Sequence, residues 1–232
     1  MLMIDKVTCF LPCRQGSQRI PRKNIKPFAG FNSGLLEVKL NQILKSEFID
    51  EVVLSTNDED ILAYARTLKS EKLVIHVRAD YLSSSETSTD QLVAHAHELI
   101  PDGHILWTHV TSPFINSTHY DEIIQSYKKA LNDGYDSLMT TTKLHAFLWR
   151  DNKPFNYDRN EEKWPRTQTI TPVHEVNSGA FITSSKIYKE MDDRIGNTPF
   201  LYSLDKLTSH DIDWPEDFVL AECMVREGLL PL

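Results

Sequence analysis

A basic segment without carboxylates, close to the N-terminus, offers the clearest chemistry in this chain. Between Lys6 and Glu37 there is no aspartate or glutamate, and Gly16 and Ser17 lie among several cations: Arg14, Arg19, Arg22, Lys23 and Lys26. Glycine lets backbone N–H groups approach an anion closely, serine adds a hydroxyl donor, and arginine and lysine form charge-assisted hydrogen bonds with phosphate oxygens. We therefore expect a triphosphate-binding loop, although a solvated surface or a nucleic-acid contact would carry similar charge.

Two common phosphate-binding motifs are missing from the sequence. No glycine-rich loop ends in Gly-Lys-Ser/Thr, which argues against a P-loop NTPase, and no Gly-x-Gly-x-x-Gly is present, which argues against an ordinary dehydrogenase. The formal net charge of −8 disfavours general nucleic-acid binding. The basic loop is therefore expected to bind phosphate in a third way.

A pair of carboxylates near the C-terminus forms the second candidate cluster. Asp211 and Asp213 flank Ile212, and alternate side chains of an extended segment point the same way. Both carboxylates can then bind one hard divalent cation, Mg²⁺ or another such as Mn²⁺. Pro215 suits the first turn of a following helix, and capping of that helix by Asp213 is the alternative.

The elements that must position these clusters alternate along the chain. Apolar runs predict a first strand that ends near Pro12 and further strands at 52–56, 73–76 and 104–108, while helical periodicity predicts helices near 35–44, 61–68, 92–99 and 123–131. This alternation predicts an α/β fold: a three-layer, Rossmann-like nucleotide-binding domain whose twisted sheet is mostly parallel. The basic loop would leave the carboxyl end of the first strand, where open α/β sheets bind ligands.

Regular periodicity is lost between residues 144 and 176, and we expect an arm in that part of the chain. The segment contains large aromatic side chains: Trp149, Phe155, Tyr157 and Trp164. Mobile loops rarely accumulate aromatics that need burial, so an ordered arm is favoured over the alternative of a flexible surface excursion.

Length and composition favour a single domain, residues 1–232, with the arm inserted in it. The 232 residues are 41% hydrophobic and 25% charged, which is ordinary for a globular protein. No apolar run is long enough to span a bilayer, and the N-terminal residues lack the features of a signal peptide, so we expect a cytoplasmic protein that contacts neither membrane nor nucleic acid. The three cysteines lack metal-site spacing and are expected to be reduced thiols in or near the core: Cys9, Cys13 and Cys223.

The basic loop resembles the N-terminal signature of a known family, the acylneuraminate cytidylyltransferases or CMP-sialic acid synthetases. The resemblance lies in the run Arg14-x-Gly16-Ser17-x-x-Ile20-Pro21-x-Lys23-Asn24, with Cys13 in place of the usual alanine. The Lys-Asn-Ile-Lys run at 23–26 is similar to members that act on sialic-like bacterial sugars such as pseudaminic or legionaminic acid. Kdo cytidylyltransferases are less similar, because their loop runs into Gly-Lys-Pro.

The resemblance implies an enzyme that joins CTP to an acidic nine-carbon sugar and releases pyrophosphate. It implies a homodimer in which the 144–176 arm of one subunit closes the sugar site of the other. It assigns catalytic roles to Arg14, Lys23 and Asp211, and a metal site to Asp211 and Asp213. It assigns the nucleotide to Arg14, Gly16, Ser17, Lys23, Asn24, Arg78 and Thr89, and the sugar to His109, Thr111, Ser112, Arg166, Gln168 and Asn177.

Several of these assignments rest on partial motif matches with structural alternatives. Arg78 and the Ser85–Thr89 segment resemble a nucleoside-binding stretch, but Ser88 or Thr89 could equally cap a helix. Asp58 is expected to cap a helix rather than to act in catalysis. His109 stands where the family has glutamine, and a lone histidine at a strand end is more often structural.

Two rival functions remain open at the level of the sequence. The first is a CTP-dependent enzyme for another acidic sugar such as Kdo. The second is a non-catalytic nucleotide- or sugar-binding homologue, for which the departures from the family pattern are the warning: Asn57, Ser85, His109 and Ile115. No residue identifies itself as the general base; a metal-bound hydroxide and His109 are the candidates.

Overall fold

The computed structural model of the protein describes residues 4–232. Its main sheet has seven strands in the spatial order β3-β2-β1-β4-β8-β5-β9. In chain order they are β1 (Val7–Cys13), β2 (Glu51–Thr56), β3 (Leu73–Val77), β4 (His104–Trp107), β5 (Ser137–Leu144), β8 (Val173–Ser184) and β9 (Pro199–Leu204). A separate two-stranded sheet consists of β6 (Trp149–Arg150) and β7 (Lys153–Pro154).

The main sheet is parallel except for β8. Strand β1 pairs in parallel with β2 and β4, and β2 pairs in parallel with β3. Strand β8 runs antiparallel to both β4 and β5, and β9 is parallel to β5. The prediction of a mostly parallel α/β sheet is confirmed, as are the four strands expected in the first half of the chain.

Helices cover both faces of the sheet, as the three-layer prediction requires. They are α1 (Gly34–Ile43), α2 (Glu59–Thr67), α3 (Thr89–Leu99), α4 (Ser117–Asn132), α5 (Ser185–Met191) and α6 (Pro215–Arg226), with a short 3₁₀ helix at Asp80–Leu82. Apolar residues of α1, α2, α4 and α6 belong to one buried cluster, and those of α3 and α5 belong to a second. Burial of these apolar stripes is the main force that holds the layers together.

The topology gathers loops at one edge of the sheet. Because all main strands except β8 run the same way, the loops after β1, β4 and β9 leave from the same edge. The basic loop follows β1, the Thr108–Asn116 segment follows β4, and the segment with Asp211 follows β9. The fold therefore brings together loops that are far apart in the sequence.

The 144–176 arm leaves from the paired ends of β5 and β8 and packs on itself. Strands β6 and β7 lie within it, and the Phe147 ring makes edge contacts with Tyr157 and Trp164 at centroid distances of 5.2 and 5.3 Å. The amide nitrogen of Asn156 donates to the carbonyl oxygens of Ala146 and Thr171. These bonds fasten the two ends of the arm to each other.

The remaining expectations about the chain as a whole are only partly tested. Cys9 and Cys13 are buried free thiols and Cys223 is a half-buried one, as predicted. None of the helices within the described range has the length and apolar character needed to cross a bilayer. The prediction that no signal peptide is present concerns the N-terminal residues, of which 1–3 lie outside the described range.

Candidate functional site

The basic loop adopts a conformation that exposes its backbone. Gly16 has φ +82°, a left-handed conformation that is costly for residues with a side chain. The Oδ1 of Asn57 accepts from the N–H of Gln15 at 3.0 Å, and the Nδ2 of Asn24 donates to the carbonyl of Arg14 at 3.2 Å. Two asparagine side chains therefore hold the loop open from either side, and the departure at Asn57 has a structural use.

The cations of the loop divide into two groups. Arg14, Arg19 and Lys23 line a cavity of about 220 Å³ together with Ser17 and Asn24. The other two turn away from this cavity, since Arg22 pairs with Asp60 on α2 and Lys26 lies over the Phe218 ring of α6. This cavity, the nucleotide cavity, is therefore lined by three of the five cations of the loop.

The carboxylate segment lies against the loop that follows β4. The N–H of Ile212 donates to the carbonyl of Thr111 at 2.9 Å. Burial raises the pKa of Asp211 above its usual value, while the nearby Thr111 side chain and the Lys23 charge oppose this shift. The segment is therefore fixed in its extended form by backbone pairing as well as by packing.

The alternative role of Asp213 as a helix cap is wrong. Helix α6 begins at Pro215 as predicted, and its N-cap residue is Trp214. The carboxylate that caps this end belongs to Asp217, whose Oδ2 accepts from the N–H groups of Asp213 and Trp214. The Asp213 side chain therefore remains available for the cavity.

The two predicted clusters meet. The Oδ2 of Asp213 lies 3.0 Å from a guanidinium nitrogen of Arg19, and its Oδ1 lies 3.4 Å from the Nζ of Lys23, which also donates to the Ile212 carbonyl at 2.8 Å. Asp213 lines the nucleotide cavity and also a larger cavity of about 910 Å³, which Asp211 lines as well. Asp213 thus stands at the boundary between the two cavities, and Asp211 lies on the side of the larger one.

His109 is a neutral hydrogen-bond donor in this site. The Trp107 indole N–H donates to its Nε2 at 3.1 Å, so Nε2 is an acceptor and the proton of the neutral ring is on Nδ1. Burial, with the positive charges of Arg194 and Lys23 nearby, lowers the pKa of His109 to about 3. His109 lines the nucleotide cavity, but its Nε2 is occupied, which argues against it as general base.

Asn177 lies in a bulge of β8 that borders the larger cavity. The pairing of β5 and β8 shifts so that Asn177 and the three residues after it lie opposite Thr140. The Asn177 Oδ1 accepts from Thr140 Oγ1 and the Gly179 N–H, and its Nδ2 donates to Thr142 Oγ1. One amide N–H is left to meet a ligand. Ser178 has φ +56°, so it is this residue that takes the left-handed turn of the bulge.

Other predicted site residues lie outside the two cavities. Arg78 is buried, with its Nε and one terminal nitrogen unpaired, next to Arg14 and Cys13. Thr89 is exposed in the first turn of α3, whose N-cap is Ser88 as the alternative expected. Arg166 and Gln168 are exposed on the arm and line neither cavity within this one chain. Their contacts with substrate stay predictions.

The larger cavity also contains residues that sequence reasoning did not assign. Its polar lining includes Lys143, His145, Lys206, Ser209 and His210. Lys143 and His145 belong to the end of β5 and the start of the arm, a strand that no motif marked. The only available signal was the proximity of His210 to the carboxylate pair in sequence.

Phe181 is a core residue beneath the Arg194 guanidinium and does not line the larger cavity.

The carboxylate pair fits a cation that is shared with a nucleotide. The Oδ1 of Asp211 is buried and has no hydrogen-bond partner, which suits an oxygen that awaits a ligand. Within residues 4–232, no group of three or more His, Cys, Asp or Glu side chains could hold a metal by itself. Mg²⁺ is commonly held by one or two carboxylates plus substrate phosphates, and this donor set matches that pattern.

Comparison with known sequences identifies relatives along the whole chain. A pseudaminic acid cytidylyltransferase of Campylobacter jejuni serotype O:2 is 28% identical over 232 residues, which cover 95% of this chain and 97% of that protein. An N-acylneuraminate cytidylyltransferase of Escherichia coli O18:K1:H7 is 25% identical over 233 residues, covering 94% of this chain and 52% of that protein.

Solved structures of other proteins share the fold of this chain. CMP:2-keto-3-deoxy-manno-octonic acid synthetase in complex with CTP has a TM-score of 0.70 at 16% identity, covering 97% of this chain and 100% of that chain. The 4-diphosphocytidyl-2C-methyl-D-erythritol synthase of Anaerococcus prevotii has a TM-score of 0.63 at 15% identity, covering 95% and 98%. At such identities the likeness supports the fold alone, which is the Rossmann-like α/β fold predicted above.

The resemblance found in the basic loop extends far beyond that loop. A sequence model of one family, described as cytidylyltransferase, matches residues 8–224 and therefore includes the basic loop, both cavities and the carboxylate pair. The chain belongs to the cytidylyltransferase family.

Proposed function

We propose that this protein transfers CMP from CTP to an acidic nine-carbon sugar, a sialic acid or a sialic-like nonulosonate, and releases pyrophosphate. The observation that carries the proposal is the position of Asp213, which contacts Arg19 and Lys23 and borders both cavities. Family membership supports CTP as the donor, and the names of the relatives support the class of sugar.

The smaller cavity takes the triphosphate. Arg14, Ser17 and Lys23 line it and give cationic and hydroxyl donors to phosphate oxygens. Asn24 holds the loop and, with Arg78, fixes the nucleoside. The buried unpaired nitrogens of Arg78 support this role, because a guanidinium without an acceptor is costly in the interior and gains one when a base carbonyl or phosphate arrives.

Asp211 and Asp213 hold a divalent cation, Mg²⁺ or Mn²⁺. When bound, the ion neutralises phosphate charge and assists departure of pyrophosphate. The residues of the chain do the rest by position and charge: the loop orients the α-phosphorus, and the sugar hydroxyl approaches it in line from the larger cavity. As the sugar oxygen bonds to the α-phosphorus, the bond from that phosphorus to the pyrophosphate oxygen breaks, and the hydroxyl proton would pass to a hydroxide derived from water near the cation, so no strongly basic side chain is required.

The larger cavity binds the sugar and is therefore the sugar cavity of the protein. Lys143 and Lys206 give it ammonium groups for a sugar carboxylate, and Asn177 offers one amide N–H. The Nδ1–H of His109 is a neutral donor at the side of the nucleotide cavity, where a glutamine amide would offer the same type of bond. The departure at His109 therefore keeps a donor and adds no charge.

The enzyme works as a homodimer in the cytoplasm. The arm carries the exposed aromatic side chains of Trp149, Phe155 and Trp164, which suit a contact with a second subunit. Arg166 and Gln168 lie exposed on the same arm and line neither cavity of their own chain, which favours a role in the larger cavity of the other subunit.

The rival of a non-catalytic homologue is weakened by the structure of the departures. Asn57 holds the basic loop through Gln15. Ile115 is fully buried, and its Cδ1 lies where a Cβ on Gly179 would come within 2.3 Å, so it is a packing residue of the β8 bulge. Neither Asn57 nor Ile115 lines either of the two cavities. The Kdo alternative rests on fold likeness at 16% identity, which does not identify a substrate.

Pyrophosphate release with CTP against a panel of nonulosonic acids, and against Kdo, tests the proposal. We expect turnover with one or more nonulosonic acids, dependence on a divalent cation, and little turnover with Kdo. Asp211→Ala should lose about 100-fold or more of the activity and remain folded by circular dichroism. Glu51→Gln removes a carboxylate that pairs with Lys6 at the far edge of the sheet, and serves as the control. Binding of CTP without release of pyrophosphate in the presence of any of the sugars would refute catalysis.

A further inference from the structure

A fully buried lysine lies beneath the site. Lys39 belongs to α1 and is 0% exposed, and no carboxylate of residues 4–232 forms an ion pair with it. A buried ammonium without an anionic partner is costly unless each of its donors is bound. Its three acceptors are the carbonyls of Ser112 and Ile115, at 2.8 and 3.0 Å, and the Tyr120 hydroxyl at 2.8 Å.

The number of donors matches the number of acceptors. An ammonium has three N–H bonds and a neutral amine has only two, so the three acceptors favour the protonated form of Lys39. Burial acts the other way and lowers the pKa of Lys39 to about 7. The three acceptors thus favour the charged form of Lys39 and burial disfavours it. These opposed effects are expected for a lysine that is retained in the interior because of the hydrogen bonds that it donates.

Two of these acceptors belong to the 111–115 loop, which leads from β4 to α4. Gln42, one turn further along α1, donates to the Pro113 carbonyl of the same loop at 2.6 Å. Helix α1 thus holds three carbonyls of the loop through Lys39 and Gln42. The loop lacks regular pairing of its own, so these bonds decide where its backbone lies.

The third acceptor extends the network to the other side of the site. Because Lys39 can only donate, the Tyr120 hydroxyl accepts from it and gives its own proton to Thr108 Oγ1 at 2.7 Å. Thr108 in turn donates to the Gly179 carbonyl at 2.7 Å, within the β8 bulge that carries Asn177. One ammonium therefore connects the 111–115 loop with the bulge beside the sugar cavity.

The 111–115 loop contacts the segment that carries the carboxylate pair, so the position of the loop affects the position of Asp211. Thr111, at its start, accepts the N–H of Ile212 at its carbonyl, and its side chain lies close enough to Asp211 to lower the pKa of that carboxyl. The Asp211 Oδ1 is buried without a hydrogen-bond partner, so the backbone pairing of its segment with Thr111 sets where this carboxylate lies. A shift of the loop would therefore move Asp211 relative to Asp213 and the basic loop.

We infer that Lys39 is a positioning residue for the metal-binding carboxylate, acting through the 111–115 loop and Thr111. This inference rests on the proposed function, since it takes Asp211 as a ligand of the divalent cation. Residues that orient metal ligands from behind commonly change metal affinity about 10- to 100-fold when replaced. Lys39 does not touch substrate, so its loss affects the cation more than the binding of CTP.

The test compares Lys39→Met with Lys72→Met. Lys72 also donates to two backbone carbonyls, those of Ser46 and Ile49, both at 2.9 Å, but at the opposite edge of the sheet. Binding of Mn²⁺ in the presence of saturating CTP is measured by electron paramagnetic resonance, and the KM for CTP is measured separately. We expect Lys39→Met to weaken Mn²⁺ binding about tenfold or more and to lower kcat, with the KM for CTP within about twofold of wild type.

Each outcome of this comparison bears on the inference. Wild-type Mn²⁺ affinity in a folded Lys39→Met protein would overturn it, and so would an equal loss in Lys72→Met. Should Lys39→Met not fold, Tyr120→Phe decides, because it keeps the ring and removes only the hydroxyl: weaker Mn²⁺ binding supports the inference and unchanged binding refutes it. Absence of pyrophosphate release from the wild type counts against the proposed function alone, since the Mn²⁺ comparison is independent of turnover.

Discussion

The Nζ of Lys23 lies 3.4 Å from the Oδ1 of Asp213, although 190 positions of sequence separate the two residues. Arg19 contacts the other carboxylate oxygen at 3.0 Å. Burial acts to raise the pKa of Asp213, but these two cations together hold it below its usual value. The carboxylate is therefore ionised and shared between the two cations that we propose as ligands of the triphosphate, so binding of the nucleotide and of a divalent cation as proposed requires some rearrangement of these pairs.

Arg19→Gln should weaken CTP binding with little effect on folding. The Arg19–Asp213 pair is about half exposed on both sides, and such pairs contribute about 0–1 kcal/mol to stability. A charge-assisted bond to phosphate is stronger, so we expect the KM for CTP to rise about tenfold. Steady-state kinetics and thermal unfolding measure the two effects.

Arg22→Gln is the matched control for this prediction. It removes the same charge from the same loop, but Arg22 pairs with Asp60 outside the nucleotide cavity. We expect its KM for CTP to stay close to that of the wild type. A rise as large as that of Arg19→Gln would mean that the overall charge of the loop, rather than the position of its cations, attracts the nucleotide.

His109→Gln should leave the pH profile of activity unchanged and improve stability in acid. Burial holds the pKa of His109 at about 3, below its ordinary value of 6.5, so between these limits the unfolded state binds the extra proton. Stability therefore rises with pH across this window and is lost as the pH falls, by up to about 2 kcal/mol at pH 5 for this one group. The charges of Arg194, Lys23 and Asp213 face the ring and contribute to the shift.

Urea unfolding of wild type and His109→Gln at pH 7.5 and pH 5 measures this effect. At pH 7.5 the difference in unfolding free energy between the variant and wild type should contain no contribution from protonation of His109. At pH 5 the variant should be more stable, relative to wild type, than it is at pH 7.5. Equal slopes of stability against pH would show that His109 is protonated with an ordinary pKa. Activity that titrates near pH 6.5 in wild type and not in the variant would restore His109 as a candidate base.

Much of the fold could be predicted because each strand and helix in the first half of the chain is marked by a hydrophobic pattern in its own local sequence. Strands β1, β2 and β4 are continuous apolar runs bounded by polar residues, the pattern of strands buried on both faces. Strand β8 gave no such signal. Its first half, Val173–Asn177, mixes polar and apolar residues, and its bulge interrupts the alternation, because this half borders the cavity and the arm rather than the core.

The residues of the site also divide into those that could be recognised from the sequence and those that could not. The basic loop and the Asp211–Asp213 pair could be recognised because charge and spacing alone express what they do. Lys39 could not, since a lysine on a helix is normally a surface residue and its acceptors lie 73 or more positions further along the chain. Arg22 and Lys26 show the reverse limit: their charge suggested a part in phosphate binding by the basic loop, and only their contacts with α2 and α6 reveal that they face elsewhere.

Arg78→Met should raise the stability of the nucleotide-free protein while it weakens nucleotide binding. The buried guanidinium has unpaired nitrogens, and burial lowers its pKa, so it is a cost to the fold that a methionine of similar length would remove. We expect a gain of about 1–3 kcal/mol in the absence of ligand. The rise in Tm on addition of CTP should be smaller than in wild type, since Arg78 would no longer contribute to binding.

Thermal unfolding with and without CTP separates the two roles of Arg78. A loss of stability in Arg78→Met without ligand would mean that the guanidinium has a structural partner. An unchanged rise in Tm with CTP would remove Arg78 from the nucleotide site. Cys13→Ser, a small change to a buried neighbour of Arg78 that adds no charge, controls for disturbance of the packing beneath the loop.

Replacing the exposed tryptophans of the arm should dissociate the homodimer that we propose. The Trp149 and Trp164 side chains are 45% and 62% exposed in the single chain, and the Arg159 guanidinium lies 5.6 Å from each ring centroid. Aromatic and arginine side chains of this kind often contribute about 2 kcal/mol or more each to an interface. Trp149→Ser with Trp164→Ser should therefore shift sedimentation to the monomer at micromolar concentration, whereas Tyr81→Ser, which removes another exposed aromatic away from the arm, should not.

The same double variant tests how the arm serves the site. If Arg166 and Gln168 reach the sugar cavity of the other subunit, loss of the dimer should raise the KM for the sugar and leave CTP binding intact, because the residues that line the nucleotide cavity all come from outside the arm. Binding of CTP by isothermal titration calorimetry and the KM for the sugar distinguish these effects. A monomeric variant with normal sugar kinetics would show that each chain completes its own sugar site.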